Sequence, residues 1–309
     1  MKDRPTPARR YRELLASDEL IVSPGVYDGY SARLVQAAGF KTAATSGAAI
    51  ANSLLGIEDI GVMGLQENLN HCRNLARAID LPLTCDADDG YGNPVNVFHT
   101  VRLFEEAGVA GVNIEDQVSP KRCGHMPGKQ VVPPEEMAKK IEAACMARRD
   151  DDFVIIARTD ALAIEGIEGA AARARLYAKA GADLIFPDAV RSEDDIARIV
   201  EAAGIPVTVN MGFGIRERPT SPLVPLPRLR QLGVRRVSLP RMLPAAAILG
   251  MQRALQAMRE VVETGEPQNR PDLLASIEDI WKLMDFAGAR ALEERLLTLD
   301  QLEGRYGKR

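Results

Sequence analysis

The sequence is poor in aromatic residues and lacks the cysteine and basic-residue patterns of disulfide-bonded, zinc-binding or nucleic-acid-binding proteins. Aromatic residues make up 5% of the 309 residues. The four cysteines, Cys72, Cys85, Cys123 and Cys145, are not in CxxC pairs, which predicts reduced thiols in a cytoplasmic protein. The 39 basic and 43 acidic residues are interspersed and give a net charge of −4, so we expect no nucleic-acid partner.

Long hydrophobic runs are also missing. No apolar run approaches the roughly 18 residues that are needed to cross a bilayer, so we expect no membrane partner. Residues 1–13 are charged and contain no hydrophobic segment of the kind found in secretory signals. Hydrophobic residues nevertheless make up 46% of the chain, which is enough for a sizeable core.

What the sequence does contain is a regular alternation of apolar strands and amphipathic helices. Several strands are continuous hydrophobic runs, as is typical of strands buried on both faces of a parallel sheet. Many of the helices end in an Ala-Gly pair, a repeated helix stop. The predicted strands are Leu20–Val26, Thr42–Ser46, Leu83–Asp88, Gly111–Asp116, Phe153–Thr159, Leu184–Ala189, Val207–Met211 and Arg236–Leu239. The predicted helices are Tyr30–Ala38, Gly64–Ile79, Asn96–Ala107, Pro134–Arg148, Ile167–Ala180, Ser192–Ala203, Pro225–Leu232, Pro244–Gly265, Leu273–Phe286 and Ala289–Leu297.

Eight such units predict an α/β protein with a (β/α)8 barrel of the TIM type. The alternative, a doubly wound open sheet, is disfavoured because no GxGxxG motif follows the first strand. We predict a single domain, in which residues 1–243 form the barrel and residues 244–309 form a C-terminal helical extension. An apolar stripe in this extension has no obvious partner on a closed barrel, so we expect it to pack on a neighbouring subunit. The stripe consists of Leu274, Ile277, Ile280, Leu283 and Met284.

The most informative stretch is Lys121-Arg122-Cys123-Gly124-His125, in a loop that also contains prolines and a further glycine. The thiolate is the reactive form of cysteine, and neighbouring cations make it easier to form. A free cysteine is usually a small buried hydrophobe, which suits the other three cysteines but not Cys123 among its polar neighbours. We therefore predict that Cys123 is a functional residue, on a loop that can act as a lid over the barrel mouth.

Carboxylates cluster at the ends of neighbouring predicted strands. Asp86 and Asp88 end one strand two residues apart, so they should point the same way. Glu115 ends the next strand, and Asp59 lies in an earlier loop. Several acids that meet at one barrel mouth cannot all stay ionised without a cation, and oxygen ligands without Cys/His pairs favour Mg²⁺ or Mn²⁺ over zinc. The alternative is that such acids cap the following helices; for Asp86 and Asp88 together we favour the metal.

Other polar residues end predicted strands, where barrel enzymes keep their chemistry. Arg158 can hold a substrate carboxylate in two parallel hydrogen bonds, or can form a salt bridge with an acid at the barrel mouth. Ser46 and Gly47 offer backbone N–H groups that could cradle a carboxylate or an oxyanion. Asp188 and Asn210 end two later strands and are weak evidence alone. Four arginines are expected at the surface or at a subunit contact: Arg228, Arg230, Arg235 and Arg236.

These motifs, in this order and spacing, resemble the isocitrate lyase / phosphoenolpyruvate mutase superfamily over nearly the whole chain. The run at 121–125 looks like the signature loop of its lyase branch. The other matching segments are Ser46-Gly47, Asp86–Pro94, Ile114–Gln117 and Ala157–Asp160.

The resemblance implies a modified barrel whose late helix is exchanged between subunits, in homotetramers built from helix-swapped dimers. It implies Mg²⁺ bound directly by Asp88 and, often through water, by Asp59, Asp86 and Glu115, with Mn²⁺ as a substitute. It implies Cys123 as the catalytic acid/base, beside which Glu115, His125 and Arg158 take part in catalysis. The residues that it implies for substrate binding are Ser46, Gly47, Ala48, Asp86, Gly124, His125, Arg158, Asp188 and Asn210.

Cys123 favours carbon–carbon over phosphorus–carbon chemistry, because the mutase and phosphonopyruvate hydrolase branches lack this cysteine. The implied function is Mg²⁺-dependent cleavage of a 2-hydroxy dicarboxylate or tricarboxylate, of the 2-alkylmalate or 2-methylisocitrate type. The products would be a 2-keto acid, pyruvate or glyoxylate, and a carboxylate. Ala44, Asp188 and the stretch 211–216 depart from the tricarboxylate lyases, which favours malate-type substrates. The alternatives are an oxaloacetate hydrolase or decarboxylase, a phosphonate mutase-type enzyme, and a non-catalytic barrel that binds small acids.

Overall fold

Eight parallel strands pair in chain order and close into a barrel, as the eight βα units predict. The computed structural model describes residues 4–212, 214–218 and 222–307. The strands are Ile21–Val26 (β1), Ala43–Thr45 (β2), Leu83–Asp86 (β3), Gly111–Glu115 (β4), Val154–Thr159 (β5), Leu184–Pro187 (β6), Val207–Asn210 (β7) and Val234–Leu239 (β8). The α-helices are Pro7–Ala16 (α1), Gly29–Ala37 (α2), Gly47–Ile50 (α3), Leu65–Ala78 (α4), Pro94–Glu106 (α5), Pro134–Ala147 (α6), Leu162–Lys179 (α7), Glu193–Ala203 (α8), Leu226–Gln231 (α9), Met242–Thr264 (α10), Ile277–Leu283 (α11), Phe286–Leu296 (α12) and Leu299–Tyr306 (α13), and a π-helix, Ala51–Leu55, follows α3.

The main core lies between the outer face of the strands and the helices. In β4, Val112 and Ile114 belong to this core, whereas Asn113 and Glu115 alternate to the inside of the barrel. Phe104 of α5 packs into the same core and is fully buried. Because burial of one such apolar side chain stabilises the fold by roughly 1.5–3 kcal/mol, this alternation fixes which side chains of each strand can reach the barrel interior.

Helix α1, which the periodicity of the sequence does not indicate, closes the N-terminal end of the barrel. The Thr6 hydroxyl accepts a hydrogen bond at 3.1 Å from a backbone N–H three residues later, and Pro7 occupies the first helical position. Tyr11 and Leu15 pack in one cluster with Val154, the first residue of β5. The opposite, C-terminal end of the strands remains open for a site.

Five strands (β2, β3, β4, β6 and β7) end one or two residues earlier than predicted, and at β3 and β6 this places site residues in turns. β3 ends at Asp86 and β6 ends at Pro187, so Asp88 and Asp188 lie beyond their strands. Asp88 has a φ of 49°, and its backbone N–H donates to Asp86 Oδ1 at 3.2 Å. The prediction that Asp88 belongs to the same strand as Asp86 is therefore wrong; a left-handed turn places Asp88. Similarly, β2 ends at Thr45.

The chain divides into two compact units between Ala245 and Ala246, two residues after the boundary expected from the sequence. In the second unit, several large apolar side chains of the predicted stripe are at the surface: Leu274 is 64% exposed and Ile277 is 51% exposed. The packing of this stripe on another subunit stays a prediction. Across the described residues, no helix combines the length and the apolar character that a membrane span requires.

Candidate active site

A cavity lies at the C-terminal ends of the strands, and residues 121–125 of the loop after β4 form one of its walls. Most of the residues that the sequence predicts for the site line this cavity. They are Ser46, Ala48, Asp59, Asp86, Cys123, Gly124, His125, Arg158, Asp188 and Asn210. In the stretch 211–216, which departs from the tricarboxylate lyases, residue 213 lies outside the described residues.

Three predicted residues, Gly47, Asp88 and Glu115, lie behind the cavity wall. The Gly47 N–H donates to Asp86 Oδ2 at 3.0 Å, so this N–H already has an anionic partner. Asp88 is 3% exposed and Glu115 is 1% exposed. Both acids are therefore buried directly behind the residues that line the cavity.

Lys121 is the cation that sequence reasoning missed among these acids. Its Nζ lies 2.5 Å from Asp59 Oδ1 and 2.7 Å from Asp88 Oδ1, and all three side chains are buried. Part of the negative charge at the barrel mouth is thus balanced by the protein itself. The argument that these acids require a metal ion therefore loses force. The run 121–125 suggests that the Lys121 charge stabilises the thiolate of Cys123. The ammonium group instead contacts the acids.

Burial makes the acids of this cluster reluctant to ionise. Burial raises the pKa of Asp88 to about 6, and the Lys121 charge opposes that rise. Burial likewise raises the pKa of Glu115 well above its usual range, against the opposing charge of Arg158. Burial alone would lower the pKa of Lys121, but Asp88 and Glu115 raise it well above its usual value. An additional cation at this place would stabilise the ionised carboxylates.

The donor set fits a hard divalent cation. A Cβ built on Gly47 would lie 3.0 Å from Asp86 Oδ2 and 3.1 Å from Asp88 Oδ1, so two carboxylate oxygens converge on one point. Glu115 Oε1 is buried without a hydrogen-bond partner among the described residues. In those same residues, no three acidic, His or Cys side chains are grouped closely enough to hold a metal by themselves. Mg²⁺ commonly binds one or two carboxylates and keeps several waters, so two converging carboxylates are sufficient.

The loop that carries Cys123 is held against the site by backbone contacts. The Cys123 N–H donates to the Asp59 carbonyl at 2.9 Å. The Gln117 side chain both donates to the Arg122 carbonyl at 2.8 Å and accepts from the Arg122 N–H at 3.0 Å. The Cys123 thiol is free and half-buried, and Arg241 Nη2 donates to its sulfur at 3.6 Å. The cation next to the thiol therefore comes from the end of β8.

Arg158 is held by three carboxylates. Its Nε and Nη2 donate to the two oxygens of Asp160 at 2.8 and 3.0 Å. Glu115 Oε2 lies 3.2 Å from Nη1, and Asp188 Oδ2 lies 3.4 Å from Nη2. The guanidinium also stands over the Phe186 ring at 5.3 Å. The salt-bridge alternative considered for Arg158 is thus present, and it leaves the guanidinium rigid and its charge balanced.

His125 is an uncharged ring at neutral pH. Burial lowers its pKa to about 4; the Asp188 charge opposes this effect, and the Arg218 charge adds to it. The imidazole can therefore donate or accept a hydrogen bond in the cavity, but it does not supply a positive charge next to Cys123.

Acidification should destabilise the fold through His125. The pKa of this ring is about 4 when folded and near 6.5 when unfolded. The unfolded state therefore holds more protons between these values, and the free energy of unfolding rises with pH across that window. We expect His125→Asn to flatten this rise, measured by chemical denaturation at several pH values. Parallel pH dependences for the two proteins would contradict a buried neutral ring.

Sequence reasoning placed Arg236 at the surface, and this was wrong. Arg236 is 5% exposed, lines the cavity together with Ser238, and donates from Nη2 to Thr84 Oγ1 at 3.2 Å. The period-two alternation of β8 could have found it, since residues two apart share a face. Asn113 is a second lining residue that was missed, and its Nδ2 donates to Asp86 Oδ1 at 3.4 Å.

The fold and this cavity define a (β/α)8-barrel enzyme with its chemistry at the C-terminal ends of the strands. A sequence model of the family described as phosphoenolpyruvate phosphomutase matches residues 11–259. The chain belongs to this family, within the isocitrate lyase / phosphoenolpyruvate mutase superfamily that its motifs resemble.

Similar proteins narrow the class further. Over 296 residues the chain is 39% identical to a probable 2-methylisocitrate lyase of Corynebacterium glutamicum, covering 95% of this chain and 94% of the relative. Over 226 residues it is 40% identical to the 2,3-dimethylmalate lyase of Eubacterium barkeri, covering 73% of this chain and 77% of the relative. The solved structure of oxaloacetate acetylhydrolase with the inhibitor 3,3-difluorooxalacetate aligns with a TM-score of 0.85 at 34% identity, covering 94% of this chain and 96% of that one. The two sequence relatives are carbon–carbon lyases, and this chain is an enzyme of that class.

Proposed function

We propose that the enzyme cleaves the C2–C3 bond of a 2-hydroxy diacid, of the 2-alkylmalate or 2-methylisocitrate type. The products are a 2-keto acid, pyruvate or glyoxylate, and a carboxylate. The observation that carries this proposal is that a free thiol, Cys123, and an oxygen donor, Asp86, line one cavity at the barrel mouth. A proton donor and a site for a hard cation are the two components that cleavage next to a carboxylate requires.

A bound Mg²⁺, or Mn²⁺, would supply Lewis-acid stabilisation of the negative charge on the substrate oxygen at C2. Asp88 and Asp86 are the residues that would hold it, with Asp59 and Glu115 acting through water. Their hard oxygen donors and the convergence of two of them beside Gly47 support this assignment.

The proposed reaction balances without an external reductant or oxidant. The C2 hydroxyl gives its proton to solvent, its C–O bond becomes a carbonyl, and the C2–C3 electron pair moves into the adjacent carboxylate to give an enolate. The Cys123 sulfur then delivers one proton to C3. Ser46 and Arg158 hold the 2-keto acid half, Gly47 holds Asp86 next to it, and Gly124 with His125 contacts the other carboxylate. The remaining proposed substrate contacts are Ala48, Asp86, Asp188 and Asn210.

The test of this proposal is a substrate panel. Keto-acid release is followed through lactate dehydrogenase and NADH for 2-methylmalate, 2,3-dimethylmalate, 2-methylisocitrate, isocitrate and malate, with and without EDTA. Release that depends on Mg²⁺ from at least one diacid supports the lyase. No release from any of them would refute it.

Oxaloacetate hydrolysis is the second candidate, favoured by the structural similarity to oxaloacetate acetylhydrolase. Hydrated oxaloacetate has two oxygens on C2 and resembles a 2-hydroxy diacid, so the same site could accept it. Loss of the oxaloacetate enol absorbance, with no keto acid released from the hydroxy diacids, would assign oxaloacetate hydrolysis to this enzyme.

Asp88→Ala should raise the Mg²⁺ concentration for half-maximal activity by about 10- to 100-fold. The variant removes one of the two converging carboxylates and leaves Lys121 with Asp59. Glu58→Gln, which changes an exposed acid next to Asp59, is the matched control and should leave the Mg²⁺ titration unchanged. An unaltered titration in Asp88→Ala would argue against its role as a ligand.

Assembly is proposed to use the apolar surface of the second unit, in a homotetramer of helix-swapped dimers. Exposed Trp281, stacked on Phe286 with centroids 5.2 Å apart, and exposed Ile277 support such an interface. Sedimentation of wild type and of Ile277→Asp tests it: a variant that still forms tetramers would exclude this surface.

We place the enzyme in the cytoplasm, where its four free thiols stay reduced.

A further inference from the structure

The turn after β3 carries two of the proposed metal ligands, and each backbone carbonyl of residues 86–90 accepts a hydrogen bond. Two of these bonds come from backbone groups: the Gly90 N–H donates to the Ala87 carbonyl at 2.9 Å, and the Glu115 N–H donates to the Asp88 carbonyl at 2.9 Å. The other three come from side chains of α4, α5 and α6. They are Asn68 Nδ2 to the Asp86 carbonyl at 2.7 Å, Thr100 Oγ1 to the Gly90 carbonyl at 3.1 Å, and Lys140 Nζ to the Asp89 carbonyl at 2.9 Å.

The backbone of this turn is strained, so these contacts have a strain to oppose. Asp88 has a φ of 49° and Tyr91 has a φ of 62°, in the left-handed region that residues other than glycine rarely adopt. Such a conformation persists only where the surrounding structure over-determines it. Asp88 Oδ1 is one of the two carboxylate oxygens that converge beside Gly47. The position of this oxygen therefore depends on the groups that hold the turn.

Lys140 differs from the other two side-chain donors because it brings a buried charge. Its side chain is 2% exposed, yet no carboxylate oxygen of the described residues lies within the 4.0 Å limit of a salt bridge to its Nζ. Burial of an ammonium group without a counterion costs far more free energy than burial of an apolar side chain of similar length. The adjacent Lys139 is exposed and pairs with Glu142 at 2.6 Å, so α6 also carries a lysine of the ordinary kind.

The Lys140 ammonium has one visible task, the hydrogen bond to the Asp89 carbonyl. A hydrogen bond from a charged donor is roughly twice as strong as one between neutral groups. The fold therefore applies its strongest side-chain contact to the residue that follows Asp88. Lys140 is absent from the cavity lining, so it can affect the site only through the backbone of the turn.

We infer that Lys140 is a positioning residue for the divalent cation, because it holds the turn in which Asp88 presents its carboxylate beside Gly47. This inference rests on the proposed function, of which the metal ion is a part. Mg²⁺ requires nearly ideal octahedral geometry at roughly 2.0–2.1 Å, whereas Ca²⁺ accepts longer and more variable distances. A turn that loses the Lys140 contact should therefore lose affinity for Mg²⁺ more than for Ca²⁺.

The test measures metal binding directly, without substrate. Calorimetry compares the binding of Mg²⁺ and of Ca²⁺ to the wild type and to Lys140→Met, which keeps a long apolar side chain and removes the ammonium group. Lys140→Met should weaken Mg²⁺ binding by about 10- to 100-fold, the usual effect of losing a group that orients a ligand, and Ca²⁺ binding by less. Lys140→Arg keeps a charged donor and should restore part of the loss. Lys139→Met, on the same helix, is the matched control and should bind both cations like the wild type.

The free energy of unfolding is measured for the same proteins without metal, so that a structural role can be recognised. A Lys140→Met protein that is less stable but binds Mg²⁺ like the wild type would overturn the inference. Losses of equal size for Mg²⁺ and Ca²⁺ would also overturn it, since they would indicate a general disruption of the site. If Lys140→Met does not fold, Thr100→Val removes the donor to the next carbonyl of the turn, and unchanged Mg²⁺ binding in that variant would refute the dependence on the turn.

The inference and the proposed function can fail separately. If the wild type binds Mg²⁺ and Lys140→Met loses it selectively, but no diacid is cleaved, the proposed function fails and the inference stands. If cleavage depends on Mg²⁺ and Lys140→Met has an unchanged affinity for the ion, the inference fails and the proposed function stands. A wild type that binds no Mg²⁺ would overturn the inference, while the substrate panel with EDTA would still decide on cleavage.

Discussion

Cys123→Ser should lower kcat for diacid cleavage by about 10³-fold or more and leave substrate binding nearly unchanged. A serine hydroxyl is close in size to the thiol but is a much weaker acid, so the enolate carbon would receive no proton from it. The loop should keep its position, because the Asp59 carbonyl binds the backbone N–H of Cys123, and the Met126 N–H donates to the Cys123 carbonyl at 2.8 Å.

The measurement is single-substrate kinetics with the preferred diacid, together with calorimetry for binding. Cys145→Ser is the matched control: this thiol lies on α6, donates to the Gly181 carbonyl at 3.2 Å, and is remote from the cavity lining. Near-normal turnover in Cys123→Ser would exclude the thiol as proton donor. A loss of activity in the Cys145→Ser protein would point to a general effect of thiol replacement.

Gly124→Ala should lower kcat/KM by about 10²-fold, through the position of the loop rather than through lost chemistry. A Cβ at this position would lie 1.9 Å from Asp188 Oδ2 and 2.5 Å from Arg158 Nη2. Arg158 and Asp188 are held by other buried contacts, so the loop has to move away from them. This movement would displace the Cys123 thiol from the substrate.

The control for this variant is Gly29→Ala, at the start of α2, where an added Cβ meets no atom within 4 Å. Kinetics and the free energy of unfolding are measured for both proteins. We expect Gly29→Ala to keep full activity. Gly124→Ala should lose activity at nearly wild-type stability, since the strain falls on a loop outside the main hydrophobic core. Full activity in Gly124→Ala would show that this close approach is not required for the reaction.

The site could be predicted from the sequence wherever its residues lie at the ends of strands. Asp86, Arg158 and Asn210 were found because the carboxyl ends of parallel strands meet at one end of a barrel, so position along the chain is enough to place them. Cys123 was found because a thiol among charged residues and glycines does not fit a buried core. Helix α1 was missed, although Thr6 and Pro7 carry its N-terminal signals.

Partners that are remote in sequence could not be predicted. Lys121 appeared to serve the thiol beside it, yet its ammonium reaches Asp59, 62 residues away. Arg241 lies 118 residues from Cys123 and approaches its sulfur. A long flexible side chain can contact a neighbour in sequence or a residue on another strand. The sequence does not show which carboxylate lies closest to it in the closed barrel.

The sequence by itself determined the barrel, the end at which its chemistry occurs, and the thiol, because strand and helix periodicity and local residue chemistry are short-range properties. Only the tertiary structure decided the charge balance of the site. It paired Lys121 with the acids, balanced the charge of Arg158 with carboxylates, buried His125 as an uncharged ring, and placed Arg241 beside the thiol. The physical reason is that desolvation and Coulomb interactions depend on distances across the closed barrel, and these distances exist only after the strands have met.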